Sequence, residues 1–375
     1  MNILKIEIWN FPVPFNVVFR HASANRSHTQ NIIVQVQCDK NIIGYGEGCP
    51  RDYVTKETDE TARQFVKKHT AEITQEITSV ETLRHWINRN RDEIDNNPAA
   101  FCALEIALLD AIGKSEKKTL EQILDLPDLE GVFSYSAVLG DSPLPVFLWQ
   151  VYRYRQQKFW DFKVKVSGNI KRDRRKVRAL KWMSSSNTRI RMDANNLWDT
   201  AAECVSHIKH LNSPVFAIEE PLKVGNISGF EAVSRECDTS IILDESFLRA
   251  EQLDALSHTG RWVINLRVSK MGGIIRSLDI ARRATEKGIG LIIGAQVGET
   301  SILTRAALAI SNAYRSNLIA SEGAFGTILL KHDLTEPCLM FGKAGVLEIN
   351  SLVNENSDGM GLHVNKDLLS EPYSA

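Results

Sequence analysis

The chain has 375 residues, 43% of them apolar and 24% charged, with 45 Lys and Arg against 46 Asp and Glu. Near-zero net charge argues against non-specific binding to nucleic acid or to a membrane surface. Only the local run KRDRRKVR (Lys171 to Arg178) leaves room for a basic patch, and it reads equally as a solvated helix face.

The opening segment MNILKIEIW is broken by charges and does not read as a signal peptide. No apolar run reaches the roughly 20 residues of a membrane-spanning helix. Six scattered cysteines with no C-x-x-C pair argue against a zinc ribbon or disulfide framework, so a soluble cytoplasmic protein is expected. ILKIEIW alternates as a strand does. NIIVQVQCDKNIIGYGEG reads as a hairpin turned at Asp39 to Asn41. Between them the polar stretch Arg20 to Thr29 is expected to be a flexible loop. From Asp59 to about Asp125 the apolar spacing becomes helical, as in AAFCALEIALLDAIGKS. Residues 1–125 thus read as a small α+β unit.

After about Gly131 short apolar runs alternate with amphipathic helices: FSYSAVL, FKVKVS, RIRMDAN, VFAIEEP, SIILDES, WVINLRV, IGLIIGA and LIASEG. Repeated strand–helix units imply a parallel sheet covered by helices, and eight of them fit a β/α barrel over residues 131–335. No glycine-rich phosphate loop follows the first run, which argues against a dinucleotide-binding domain. The tail, 336–375, returns to short strands that could pair with the N-terminal unit.

Five of these runs end on a polar side chain: Lys165, Asp193, Glu219, Asp244 and Arg267, recurring roughly every 25 residues, one strand–loop–helix unit apart. In a barrel the C-terminal strand ends ring one mouth, where active sites sit. Each carboxylate alone also fits a helix N-cap. Three converging carboxylates repel one another unless a cation neutralises them, and all-oxygen ligation suits Mg²⁺ or Mn²⁺. Lys163 and Lys165 lie two apart and so point to one face of their strand. Crowded ammonium groups disfavour protonation, which would tune one lysine towards general-base work. A base beside a divalent cation points to removal of a proton α to a carboxylate, with an enediolate as the resulting species.

The chain resembles the enolase superfamily, in its muconate-lactonizing-enzyme-like subgroup. FKVKVSG resembles the K-x-K strand, RMDANNLW the D-x-N strand, AIEEPL the E-[EQ]-P strand, LDES the D-E-S strand and VGETS the glutamate-bearing strand late in the barrel. GYGEGCPRDYVTKET and the helix before GKSEKKTLEQIL resemble the capping domain. The resemblance implies a modified (β/α)7β barrel with an α+β capping domain completed by the C-terminal segment. It implies Asp193, Glu219 and Asp244 as Mg²⁺ ligands and Asn195 behind them. It implies Lys165 as base, with Lys163 tuning the site and contacting a substrate carboxylate. Loops Arg20–Thr29 and Pro50–Thr55 would cover the mouth, and a homo-oligomer is implied. Arg20, His21 and Arg26 are candidate contacts for a second anionic group of a small carboxylate substrate, or plain solvated residues. Glu299 is expected near the mouth.

Two departures bear on the reaction. The subgroup's sixth strand carries a lysine, but INLRVSKMGG places Arg267 there, and Lys270 has the opposite strand parity. Arginine is a poor base: neutral guanidine at pH 7 costs about 7 kcal/mol. The D-x-D pair of dipeptide epimerases is absent from ASEGAFG, where Glu322 either binds a substrate amine or hydroxyl or is structural. One-base chemistry follows: a syn β-elimination, as in a dehydratase or lyase, or a cycloisomerisation, with Arg267 a fixed cation. The alternatives are a racemase or epimerase of an N-acyl amino acid or dipeptide-like substrate, and a metal-binding barrel without catalysis.

Overall fold

The computed structural model describes residues 1–20, 25–183, 187–349, 357–369 and 373–374. The chain opens with β1 (Ile3–Phe11), β2 (Pro14–Arg20), β3 (Asn25–His28), β4 (Asn31–Cys38) and β5 (Ile43–Gly48). β1, β4 and β5 form an antiparallel sheet, with β4 and β5 joined by a one-turn 3-10 helix at Asp39–Asn41. The stretch expected to be a loop after Arg20 instead folds β2 back onto β3, with Phe19 opposite Arg26 and Arg20 opposite Asn25. N-R-S-H carries no apolar alternation, so backbone pairing alone makes this strand.

Five helices follow: α1 (Asp59–Glu76), α2 (Val80–Arg89), α3 (Arg91–Asn96), α4 (Pro98–Glu116) and α5 (Leu120–Leu124). α1 begins at a reciprocal cap between Thr58 and Thr61. α4 is buried along nearly its whole length, because β5 lies flush against it. A Cβ on Gly44, Gly46 or Gly48 would meet the carbonyl oxygen of Ala107, Ala103 or Ala99 at 2.1, 2.0 and 2.1 Å. The alternating glycines of GYGEG and the alanines four apart on α4 are thus one packing device: the glycines have no side chain and the alanines only a methyl to hold the other surface away.

The barrel consists of β7 (Ala137–Leu139), β8 (Asp161–Lys165), β9 (Arg189–Asp193), β10 (Ala217–Glu219), β11 (Ser240–Leu243), β12 (Trp262–Leu266), β13 (Gly290–Ile293) and β14 (Leu318–Ser321). Among the described residues these eight strands are parallel and pair in sequence order. Helices α6 (Leu144–Gln156), α7 (Ile170–Met183), α8 (Ala201–Leu211), α9 (Ile227–Cys237), α10 (Val268–Met271), α11 (Ile274–Glu286) and α12 (Ser301–Ala313) fill the connections. Between β11 and β12 a 3-10 turn at Ala250–Ala255 takes the helix's place. β14 leads into irregular chain, completing a (β/α)7β barrel. The run FSYSAVL splits. Its first half, β6 (Val132–Ser134), pairs antiparallel with β16 (Val346–Glu348), and only its second half joins the barrel. The bridge from Tyr135 to Ser321 closes the ring.

One small apolar cluster, Ala217, Ile242, Val263, Ile292 and Ala320, draws one residue from each of five barrel strands and is separate from the main core. The face of β8 and β9 that carries their charges is built differently. Asp161, Lys163 and Lys165 alternate on β8, and Arg189, Arg191 and Asp193 on β9. The two strands are in register, Lys163 beside Arg191 and Lys165 beside Asp193. Lys165 and Asp193 are opposite charges, while the like pair Lys163 and Arg191 is balanced by the carboxylates of Glu219, Glu322 and Asp161, which makes the charged wall tolerable where a lone ion would not be.

The N-terminal unit and the barrel are joined by buried carboxylates at helix N-termini. Glu47 of β5 accepts from the Thr300 and Leu303 N–H groups, at 2.9 and 3.2 Å, and from the Thr300 hydroxyl at 2.7 Å, at the start of α12. Glu105 of α4 accepts from the N–H groups of Ile274 and Ile275 at the start of α11. Each satisfies otherwise orphaned helix donors. Arg305 of α12 forks onto Glu121 of α5 at 2.8 and 2.7 Å. β15 (Thr335–Glu336) pairs with β17 (His363–Val364), and β18 (Tyr373–Ser374) pairs with β1, so the tail does return to the capping sheet. No helix among the described residues is long and apolar enough to cross a membrane.

Candidate active site

Lys165 ends β8 with its Nζ 2.6 Å from Asn195 Oδ1 and 3.4 Å from Asp193 Oδ2. Asn195 holds a left-handed backbone conformation (φ 46°) just past β9, and its N–H donates to Asp193 Oδ1 at 3.2 Å. Asp193 and Glu219 are register partners on β9 and β10, and Asp244 directly follows β11. The strand ends predicted from the sequence therefore do come together at one mouth.

The lysines differ. Lys163 is nearly fully buried and lies 2.8 Å from Glu219 Oε1, 3.3 Å from Glu322 and 3.5 Å from Asp193. Burial works against its charge, but Glu219, Glu322 and Asp193 outweigh that and lift its pKa above the ordinary lysine range. The expected crowding of two bare ammonium groups is thus not what Lys163 meets: its charge is absorbed by acids on other strands. Lys165 is the more exposed of the two, at 20% against 6%.

Glu322 is committed internally as well. Its carboxylate pairs with Arg191 at 2.7 Å and with Lys163. Burial would raise its pKa, but these two cations hold it at about 2. Arg191, itself fully buried, also pairs with Asp161 and donates to Ser136 Oγ at 2.9 Å. Of the two readings of Glu322, structural or substrate-binding, these contacts favour the structural one.

Arg267 follows β12 and pairs with Asp244 Oδ2, while also donating to Gln296 Oε1 at 3.1 Å. Lys270, on α10, takes Asp244 Oδ1 at 2.7 Å. Burial would raise the Asp244 pKa, but Arg267 and Lys270 hold it well below the carboxylate range. Arg267 is likewise kept protonated: burial opposes its charge, and Asp244 and Glu245 beside it prevail. Glu299 lies in the loop before α12 and accepts from the Gln296 N–H at 2.6 Å. Burial, aided by Glu47, pushes it up to about 8. His21 lies outside the described residues, and the side chains of Arg20 and Arg26 do too.

Several positioning groups were not read from the sequence. Glu220, the second glutamate of AIEEPL, accepts from the N–H groups of Asp244 and Ser246 at 2.7 and 2.8 Å and from Ser246 Oγ at 2.7 Å. It shapes the turn that presents Asp244, and burial pushes it up to about 7. Its place next to Glu219 was the available signal, since it follows the end of β10 directly, where the backbone turns left-handed (φ 41°). Arg51, buried in the loop after β5, donates to the carbonyls of Gln30, Pro50 and Val297, fastening the capping loop to the barrel mouth.

The donor set suits a hard divalent ion in its chemistry: three carboxylates at adjacent strand ends, with amide and carboxylate groups behind them. Glu219 Oε2 lies 2.7 Å from Lys163 Nζ yet accepts no well-directed hydrogen bond. Burial first, then the charges of Asp193, Glu322 and Asp244, push Glu219 up to about 8, a carboxylate short of positive charge. In the present conformation Asp244 is drawn to Arg267 and Lys270. Among the described residues no three acidic, imidazole or thiol groups are gathered into a finished metal site. The residues fit such an ion by type and position, on condition that Arg267 releases Asp244.

A two-domain protein with a (β/α)7β barrel, a capping sheet and carboxylates at successive strand ends is the class these features define. Residues 148–367 match the enolase C-terminal domain-like family, and residues 5–125 match the mandelate racemase/muconate lactonizing enzyme N-terminal domain. The chain belongs to this family of the enolase superfamily. It is 25% identical over 379 residues to an N-succinyl-L-Arg/Lys racemase of Bacillus cereus, covering 99% of this chain and 98% of that one. It is 27% identical over 363 residues to a hydrophobic dipeptide epimerase of Enterococcus faecalis, covering 93% of this chain and all of that one. The crystal structure of the dipeptide epimerase from Enterococcus faecalis, complexed with Mg and the dipeptide L-Leu-L-Tyr, superimposes with a TM-score of 0.82. It covers 96% of this chain and 99% of that one at 24% identity, which shows the shared fold.

Proposed function

We propose that the protein removes the proton α to the carboxylate of a small molecule, with Lys165 as the base. The observation that carries this reading is the placement of Lys165: at the barrel mouth, in register with Asp193 and steered by Asn195 Oδ1. Asp193, Glu219 and Asp244 would hold Mg²⁺, or Mn²⁺ as a second hard ion. Such an ion supplies positive charge to a carboxylate whose α-carbon is losing a proton. Lys163 keeps Glu219 and Glu322 in place and the barrel interior balanced. Glu220 and Asn195 orient the groups in front of them.

Arg267 stands where a second base would be needed, and its charge is held by Asp244 and Glu245. A guanidinium so fixed can bind an anion but not accept a proton. One-base outcomes follow: syn β-elimination or cycloisomerisation, in which Lys165 serves one face of the substrate throughout. A second reading, racemisation or epimerisation, is favoured by the names of the near-full-length relatives from Bacillus cereus and Enterococcus faecalis.

The test is to incubate the Mg²⁺-loaded protein in D₂O with both enantiomers of N-succinyl amino acids, with dipeptides, with acid sugars and with muconate-like lactones, following the α-proton by NMR. Exchange or elimination from one enantiomer only is the one-base result. Exchange from both, with one lost in Arg267→Met, is the epimerase result. Binding without any exchange points to a barrel that has lost catalysis.

A further inference from the structure

We infer that Arg267 is a resident counter-cation that competes with the divalent ion for Asp244, so that metal loading releases the guanidinium to bind an anion. This rests on the reading of Asp193, Glu219 and Asp244 as the metal-holding set, and it adds a role specific to this chain's Arg267.

The two cations on Asp244 are not equivalent. Lys270 Nζ is fully buried and makes three contacts: Asp244 Oδ1 at 2.7 Å, the Asp244 carbonyl at 2.7 Å and the Asn265 carbonyl at 3.0 Å. All three ammonium donors are spent, so Lys270 is a fixed strut of the strand end. Arg267 holds Asp244 Oδ2, and among the described residues its one other hydrogen bond goes to Gln296 Oε1 at 3.1 Å. Its Nε is buried without a partner among the described residues, and its side chain is 15% exposed where that of Lys270 is fully covered. Arg267 is therefore the less fully anchored cation of the pair, partly exposed and with a donor to spare.

A guanidinium on Asp244 opposes metal binding twice. It occupies a carboxylate oxygen, and its charge repels a second cation a few ångströms away. Once displaced, it loses its paired carboxylate oxygen and keeps only the nearby charge of Glu245, leaving a permanently charged fork that an arriving anion can engage. Metal loading and capture of an anionic substrate group are thereby coupled through one side chain.

The test uses metal alone. Mn²⁺ is titrated into the metal-free protein with free Mn²⁺ read by electron paramagnetic resonance, and Mg²⁺ by calorimetry. Wild type, Arg267→Met, Arg267→Lys and Asp193→Asn are compared. The expected result is a dissociation constant lower by about ten- to a hundredfold in Arg267→Met, an intermediate value in Arg267→Lys, and weakened binding in Asp193→Asn. Equal or weaker binding in a folded Arg267→Met overturns the inference, while the loss in Asp193→Asn still upholds the metal-site reading. Unchanged binding in Asp193→Asn overturns that reading itself. In the wild type, phenylglyoxal modification of Arg267, read by peptide mass spectrometry, should be several-fold faster with Mg²⁺ than without. Equal rates also overturn the inference.

Discussion

Lys165 and Asp193 are register partners on adjacent barrel strands, and the ammonium of one lies 3.4 Å from a carboxylate oxygen of the other. Strand parity puts Lys163 on the same face two residues deeper, where Glu219 and Glu322 take up its charge. Two lysines that look alike in the sequence thus sit in different electrostatic settings, one at the mouth and one embedded among acids.

Removing Glu220 should act on the proposed metal site without touching it. Glu220→Ala leaves the Asp244 and Ser246 N–H groups without their acceptor, and the turn that presents Asp244 loosens. Mg²⁺ affinity should fall on the order of tenfold to a hundredfold while the fold persists, as calorimetry and far-UV circular dichroism would report.

The glycine–alanine seam between β5 and α4 should tolerate no side chain. Gly46→Val places a Cβ 2.0 Å from the Ala103 carbonyl oxygen. The expected cost is about 1–3 kcal/mol, visible as a lowered denaturation midpoint in urea.

Arg305 and Glu121 form a buried fork between α12 and α5. Arg305→Met strands the Glu121 charge and should cost about 3–5 kcal/mol. Arg305→Met combined with Glu121→Leu should recover much of that loss. Simple additivity of the two single variants in urea melts would contradict a coupled pair.

Glu105 gives a pH signature. Burial pushes its pKa from 4.5 to about 7 in the fold. Between those values the native state holds the proton and the unfolded chain does not. The group's contribution to stability is therefore fully present below pH 4.5 and declines as pH rises through about 7. Glu105→Gln cannot titrate. Urea melts of wild type minus variant should show the wild type losing ground between pH 5 and 8, by at most a few kcal/mol.

The barrel is legible in the sequence because apolar runs recur at a fixed spacing, and the mouth because five successive runs end on a charged residue. The hairpin at Asp39 to Asn41 is legible for the same reason, alternation broken by a polar turn. What pairs with what is not. Lys163 meets Glu322 across 159 residues, and Arg305 meets Glu121 across 184, distances that strand and helix periodicity do not span. The β2–β3 arm escapes detection because β3, Asn25–His28, is polar throughout. Lys270 stands on α10 rather than on β12, so the parity of that strand does not apply to it. Its service to Asp244 comes from a helical turn that strand parity cannot describe.

The role of Lys165 is tested most directly by α-deuterium incorporation in D₂O, using whichever of the N-succinyl amino acids, dipeptides, acid sugars or lactones the wild type exchanges with Mg²⁺ present. Incorporation should fall at least a hundredfold in Lys165→Ala, with Mg²⁺ still bound. Equal incorporation by wild type and Lys165→Ala would contradict the assignment of Lys165 as the base.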